Sequence, residues 1–131
     1  MIELRGNTHT FASEHLLGTP IIIEKGIRAN VQLETSKDMV VDGYGLIHGG
    51  FTFGLADYAA MLAVNDPNVV LGSAEVKFIA PVKLGDVMLA EARVIGQEGK
   101  KRAVQLVVLV GKKIVFSGLF NCYILDKHVL E

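Results

Sequence analysis

Between His48 and Asn65 the chain carries a helix-forming stretch that is apolar on almost every side. Phe51, Leu55, Tyr58 and Leu62 recur at helical spacing, and Phe53, Ala56, Ala60, Met61 and Val64 fill the other faces. A helix apolar all round has to be wrapped. Here the wrapping falls to a sheet and, where the sheet stops, to a second subunit. Asp66-Pro67-Asn68 ends the stretch.

The rest of the chain supplies the sheet. Ile27, Ala29, Val31 and Leu33 alternate with Arg28, Asn30, Gln32 and Glu34, so Pro20–Glu34 reads as a half-buried strand. Ser36 to Ile47 reads as a loop broken at Asp42-Gly43-Tyr44-Gly45. Downstream, four strands are expected: Val69–Ala80, Val87–Ile95, Ala103–Val110 and Ile114–Leu125. Turns fall at Pro81, Gly85-Asp86, Gly96–Lys101 and Gly111-Lys112-Lys113. Ala103–Val110 is almost wholly apolar and reads as a central strand. Residues 1–18 read as irregular apart from a helical turn near Ala12–Leu17. The expectation is one α+β domain over residues 1–131, a long antiparallel sheet around one central helix at about 48–65. One sheet layer leaves part of that helix bare, which predicts a homodimer or a dimer of dimers.

With 131 residues, half of them hydrophobic and 21% charged, the chain has the makings of a core. A net charge of −1 argues against gripping nucleic acid. The single cysteine, Cys122, cannot form an intrachain disulfide and reads as a small core residue. No secretory signal and no apolar run of membrane length is visible, which predicts a cytoplasmic protein. His9, His15, His48 and His128 lack metal-ligand spacing, so no metal is expected. Gly43-x-Gly45-x-x-His48 is not embedded in a parallel βαβ unit and is not a dinucleotide site. Lys100-Lys101-Arg102 and Lys112-Lys113 sit in turns, either as solvated charges or as contacts for phosphate groups.

Chemistry concentrates where the loop meets the helix. Gly49 and Gly50 allow close approach of a ligand or of another backbone. The first N–H groups of a helix have no internal partner and, with the helix dipole, suit a carbonyl oxygen or an anion. Seven residues beyond Gly50, on the same face with Phe53 and Met61, stands Asp57, the one acid in the apolar stretch. A buried carboxylate needs a partner, a ligand or water. His48 reads equally as a helix-start residue, the glycines as packing devices and Asp57 as a structural carboxylate.

His48-Gly49-Gly50-Phe51-Thr52-Phe53-Gly54-Leu55-Ala56-Asp57 resembles the HGG-x4-LAD signature of hotdog-fold acyl-CoA thioesterases, particularly the phenylacetate-pathway type. Phe78-Ile79-Ala80-Pro81-Val82-Lys83-Leu84-Gly85-Asp86 resembles the F-x-x-P-x-x-x-G-D turn of that superfamily. Ile114-Val115-Phe116-Ser117-Gly118 and the surrounding C-terminal half also resemble the hotdog sensor domain of the malonyl-CoA-responsive repressor of fatty-acid synthesis. The resemblance implies a dimer with two sites at its interface. In each, the Gly50 N–H polarises a thioester carbonyl, His48 fixes the loop, and Asp57 from the facing subunit serves as base or nucleophile. An acyl-CoA is then substrate or ligand and no cofactor is required. Phe53, Met61 and Phe78 would line the acyl site, with Asp42, Gly49, Ser73 and Glu75 beside it. Two positions depart from the family. Asp42 stands where an Asn is usual, six residues before the histidine. Glu75 stands where a polar amide or a small residue is common, and the strand alternation favours solvent for its side chain. The implied activity is thioester hydrolysis. The alternative is non-catalytic acyl-CoA sensing through a protein partner, with a hydratase ranked third.

Overall fold

The computed structural model describes residues 2–3 and 5–131. Its sheet is antiparallel throughout, in the order β1-β2-β3-β5-β6-β7-β4. The strands are β1 (Ile2–Glu3), β2 (Thr19–Glu24), β3 (Arg28–Glu34), β4 (Val69–Phe78), β5 (Val87–Glu98), β6 (Lys101–Val110) and β7 (Lys113–Ile124). The helices are α1 (Glu14–Leu17) and α2 (Gly49–Val64). This is the α+β hotdog arrangement that the residue pattern and the resemblance imply.

Three details differ from the sequence reading. Pro20–Glu34 is a hairpin of two strands, because Lys25-Gly26-Ile27 turns the chain with Gly26 at φ +75°. The N-terminal segment, expected to be irregular up to residue 18, contributes β1 to one sheet edge. β5 also runs on to Glu98 through a bulge between Val94 and Gly96, so only Gly99-Lys100 remains as turn. β6 is central, as its apolar composition predicts. It buries Val104, Leu106 and Val108 under the helix and leaves Gln105 exposed on the other face.

The helix is stopped at both ends by identifiable groups. His48 is its N-cap. At the other end Asn65 adopts the left-handed conformation (φ 56°, ψ 38°) and its N–H donates to the Met61 carbonyl at 2.7 Å. The Gly26 N–H donates to the Ala63 carbonyl at 2.8 Å, so the β2–β3 turn satisfies another terminal acceptor. α2 lies across β3, β5 and β6. Leu55, Ala56, Ala59, Ala60, Leu62 and Ala63 are completely buried. Under the helix Phe116 and Phe120 are also fully buried, each contributing about 2–3 kcal/mol by removal from water. One stripe at the N-terminal half of the helix, with Gly50, Gly54 and Asp57, retains exposure, and Phe53 beside it is half-buried against Phe116 and Phe120 of β7. Among the described residues no helix is long and apolar enough to cross a membrane.

Candidate active site

The loop before α2 is closed on itself. A bridge pairs Val40 with Ile47, the Val41 N–H donates to the Leu46 carbonyl at 2.9 Å, and the His48 N–H donates to the Met39 carbonyl at 3.0 Å. Asp42 sits at the tip, and its Oδ1 accepts the backbone N–H groups of Tyr44 (2.9 Å) and Leu46 (3.2 Å). An ionised carboxylate is a pure acceptor and suits this turn. Asp42 therefore organises the tip, which carries Tyr44 almost fully exposed.

At the base of the loop the His48 side chain caps the helix. Its Nδ1 accepts the Gly50 N–H at 2.7 Å. An accepting Nδ1 requires the ring proton on Nε2. The Gly50 N–H is thus already partnered, by a neutral acceptor. A larger residue at Gly50 would collide with its own cap, and one at Gly49 would press on Phe78. A Cβ on Gly50 would stand 2.8 Å from His48 Nδ1, and one on Gly49 would stand 3.2 Å from Phe78 Cε1. Phe78 is 58% exposed and meets Phe116 edge to face at 5.2 Å. Phe53 stacks on Phe120 at 5.4 Å and meets Phe116 edge to face at 6.5 Å. The helix start is therefore framed by aromatic rings. Beside it lies an open groove of about 340 Å³ lined by Leu46, Gly49, Phe78, Ile79, Pro81 and Val82 among others. A neighbouring groove of about 420 Å³ carries Tyr44, Lys83 and Lys113.

Two turns further along, Asp57 opens on a cavity of about 500 Å³ that also includes Met61. Its Oδ1 is buried and has no hydrogen-bond partner among the described residues. Burial pushes the carboxyl pKa above its ordinary 3.8, and the nearby His9 pulls it partly back. His9 and its neighbours Asn7, Thr8 and Thr10 line the same cavity, as does His128. Nothing in the residue pattern pointed to them, since only tertiary docking brings the segment there. Cys122, in β7, lies in the core with its thiol pushed up to about 12, first by burial and then by the charge of Asp57.

The structure thus brings together His48, Gly49, Gly50, Phe53 and Phe78 at the helix start, with Asp57 and Met61 further along. Asp42 stands at the loop tip. Ser73 and Glu75 do not join the cluster. They are exposed on β4, while Ala74 and Val76 between and beyond them pack towards the core. The Asn121 side-chain N–H donates to Ser73 Oγ at 2.9 Å. Among the described residues no three of His, Cys, Asp or Glu gather closely enough to hold a metal.

Known proteins share this frame. A family model described as the thioesterase superfamily matches residues 44–109, the span from the last residues of the loop through the helix to β6. The chain is 46% identical over 120 residues to methylthioribose-1-phosphate isomerase of Aquifex aeolicus, covering 91% of this chain and 26% of that protein. It is 31% identical over 122 residues to the transcription factor FapR of Caldanaerobacter subterraneus, covering 93% of this chain and 61% of that protein. The chain therefore spans about a quarter of the first of these curated relatives and about three fifths of the second. Among solved structures, an uncharacterized protein from Pyrococcus horikoshii is 54% identical, with a TM-score of 0.96 and all of both chains covered.

Proposed function

The chain belongs to the thioesterase superfamily, and on that premise we propose that it hydrolyses an acyl-CoA thioester at two equivalent sites between paired copies. The observation that carries this reading is the placement of Gly50 and Asp57. They share one helix face that retains exposure but stand about 10 Å apart along the axis, at about 1.5 Å per residue. That is too far for both to act on one carbonyl, since acid–base groups work within about 3 Å. A second copy packed antiparallel on this face brings Asp57 of the partner subunit to the Gly50 end and covers the stripe that retains exposure.

The capped N–H then has a catalytic use. The carbonyl oxygen of a bound thioester has to displace the imidazole from the Gly50 N–H. In the ground state one neutral acceptor replaces another, with little gain. As water attacks, the oxygen becomes an anion and its hydrogen bond to the N–H strengthens about twofold. The interaction is thus stronger in the transition state than in the substrate complex, which is what lowers a barrier. The partner's Asp57 accepts the proton of the attacking water. Its burial raises the pKa of the carboxyl and makes it a better base. Collapse of the tetrahedral intermediate expels the coenzyme A thiolate, which is protonated, and leaves the carboxylic acid. The groove beside Phe78 suits the pantetheine arm, and Lys83 and Lys113 beside Tyr44 suit the nucleotide phosphates and adenine.

The test is thiol release from a panel of short, long and aromatic acyl-CoAs, with Asp57→Ala in parallel. Loss of a positioned base should lower turnover by about 10²–10⁴-fold. Equal turnover in the variant would overturn the reading. A second reading is acyl-CoA sensing without hydrolysis. It is supported by the likeness to FapR over 93% of the chain and by a Gly50 N–H that the protein itself already occupies. No turnover across the panel, together with a melting temperature raised by the same ligands, would favour it.

A further inference from the structure

Specific contacts to the far end of α2 fix the N-terminal segment beside the cavity that Asp57 lines. Asn65, the left-handed C-cap of α2, is completely buried, and its Oδ1 accepts the Asn7 N–H at 2.7 Å across 58 residues of chain. At Gly6 a Cβ would fall on Leu62 Cδ2, so only glycine lets the segment lie this close to the helix. Thr8 is 5% exposed, and its Oγ1 stands 2.8 Å from His9 Nδ1. His9 itself has φ +54°, a left-handed conformation that residues other than glycine take at a cost and that concentrates at functional sites. Thr8 engages Nδ1, so the ring nitrogen without a partner among the described residues is Nε2. The wall of the cavity at this point also carries Asp57, whose Oδ1 is buried and unpartnered among the described residues.

We propose that His9 is a positioning residue for Asp57, brought to it by the docked N-terminal segment to hold the carboxylate's charge and the water on which it acts. The proposal rests on the reading of Asp57 as the hydrolytic base. The cavity of about 500 Å³ that both groups line has room for ordered water as well as for part of a ligand. A protonated imidazole stabilises the carboxylate by charge, and a neutral one with its proton on Nε2 offers that N–H to the carboxylate through water. The other titratable groups around Asp57 are few. His128 lines the cavity from the C-terminal turn, Tyr58 adjoins it on α2 with its ring 6.4 Å from that of His9, and Cys122 lies behind it on β7. Glu14 on α1 acts on Tyr58. Burial raises the pKa of the Asp57 carboxyl and the charge of His9 opposes that rise, in agreement with the geometry.

The test replaces His9 by asparagine, which tolerates the left-handed backbone and removes the imidazole. The Asp57 carboxyl is titrated by carbon NMR in the full chain, and the pH profile of acyl-CoA hydrolysis is measured alongside. In His9→Asn the carboxyl midpoint should move upward and the acid limb of kcat/KM should move with it to higher pH. A folded His9→Asn protein with an unmoved Asp57 midpoint overturns the proposal. If that variant melts before it can be titrated, His9→Gly, which suits the left-handed backbone and also removes the imidazole, replaces it. A midpoint unchanged there also overturns the proposal, and an upward move supports it. Should wild type hydrolyse none of the acyl-CoAs, the hydrolytic reading of Asp57 fails, while the carboxyl titration still decides whether His9 acts on it.

Discussion

Replacing Asp57 by alanine should make the chain more stable. The side chain carries a buried oxygen without a hydrogen-bond partner among the described residues, and a polar group in that state costs about 1–3 kcal/mol. Alanine also exceeds aspartate in helix propensity by about 0.5 kcal/mol. The usual penalty for truncation is small here, because the side chain opens onto an existing cavity rather than filling a packed core. The sum is a gain of about 1.5–3.5 kcal/mol, or about 6–14 °C in Tm at about 4 °C per kcal/mol for a chain of this length. The gain depends on pH in a defined direction. A carboxyl whose folded pKa lies above 3.8 binds its proton more tightly in the folded chain. That favours folding in acid, and the advantage is lost as pH rises from 3.8 through the raised folded value. The difference between variant and wild type should therefore be largest at neutral pH and shrink towards pH 4. Differential scanning calorimetry at pH 7 and pH 5 measures it. A variant Tm equal to or below wild type at pH 7 would refute the reasoning, since the carboxylate would then have a stabilising partner in the assembled protein.

Other outcomes follow from the same contacts. Gly50→Ala should push the His48 ring off its cap, because the new Cβ would stand 2.8 Å from Nδ1. A lowering of stability by about 0.5–2 kcal/mol, read from thermal melts, is expected, with kcat falling more than acyl-CoA affinity. Mixing Gly50→Ala with Asp57→Ala should restore activity, since each mixed dimer would carry one undamaged site, and no recovery after subunit exchange would argue against shared sites. Cys122, with its thiol pushed up to about 12, should resist disulfide reagents at pH 8 in the native protein and react as a single thiol in denaturant; rapid native labelling would contradict its burial. Gly118→Ala would place a Cβ 2.8 Å from Val76 Cγ1 and 3.0 Å from the Glu75 carbonyl, so a loss of about 1–3 kcal/mol is expected from forcing β4 and β7 apart, measured by urea titration.

The helix was legible in the sequence because its apolar residues leave it no solvent face and because strong terminators flank it. The strands after it were legible through alternation and glycine turns. The β2–β3 turn was harder, since Ile27 continues the alternation of β3 backwards across Gly26 and hides the break. At the site, residue types and spacing pointed to Gly50 and Asp57, but they could not say where the Gly50 N–H goes. That depends on the rotamer of His48, a local choice that composition does not encode. The use of Asp42 as a turn acceptor is similarly a matter of loop closure through Val40 and Ile47. His9 was out of reach for a different reason. A left-handed histidine carries no pattern, and its position depends on a contact between Asn7 and Asn65 that closes 58 residues of chain.

The two margins of the sheet are unequal. One ends in the two residues of β1, the other in the ten of β4, which pairs on one side only with β7. A long free margin can template another strand, and charged side chains such as Glu75 and Lys77 on its exposed face discourage indiscriminate pairing. If two copies join antiparallel through β4, each uses its longer margin, and among the described residues what remains at either end is the short β1 and the part of β2 beyond it. Such a contact is symmetric and self-limiting. In such a pair growth through β4 would stop at two, and the strand used for pairing would no longer be open to continue into a fibre.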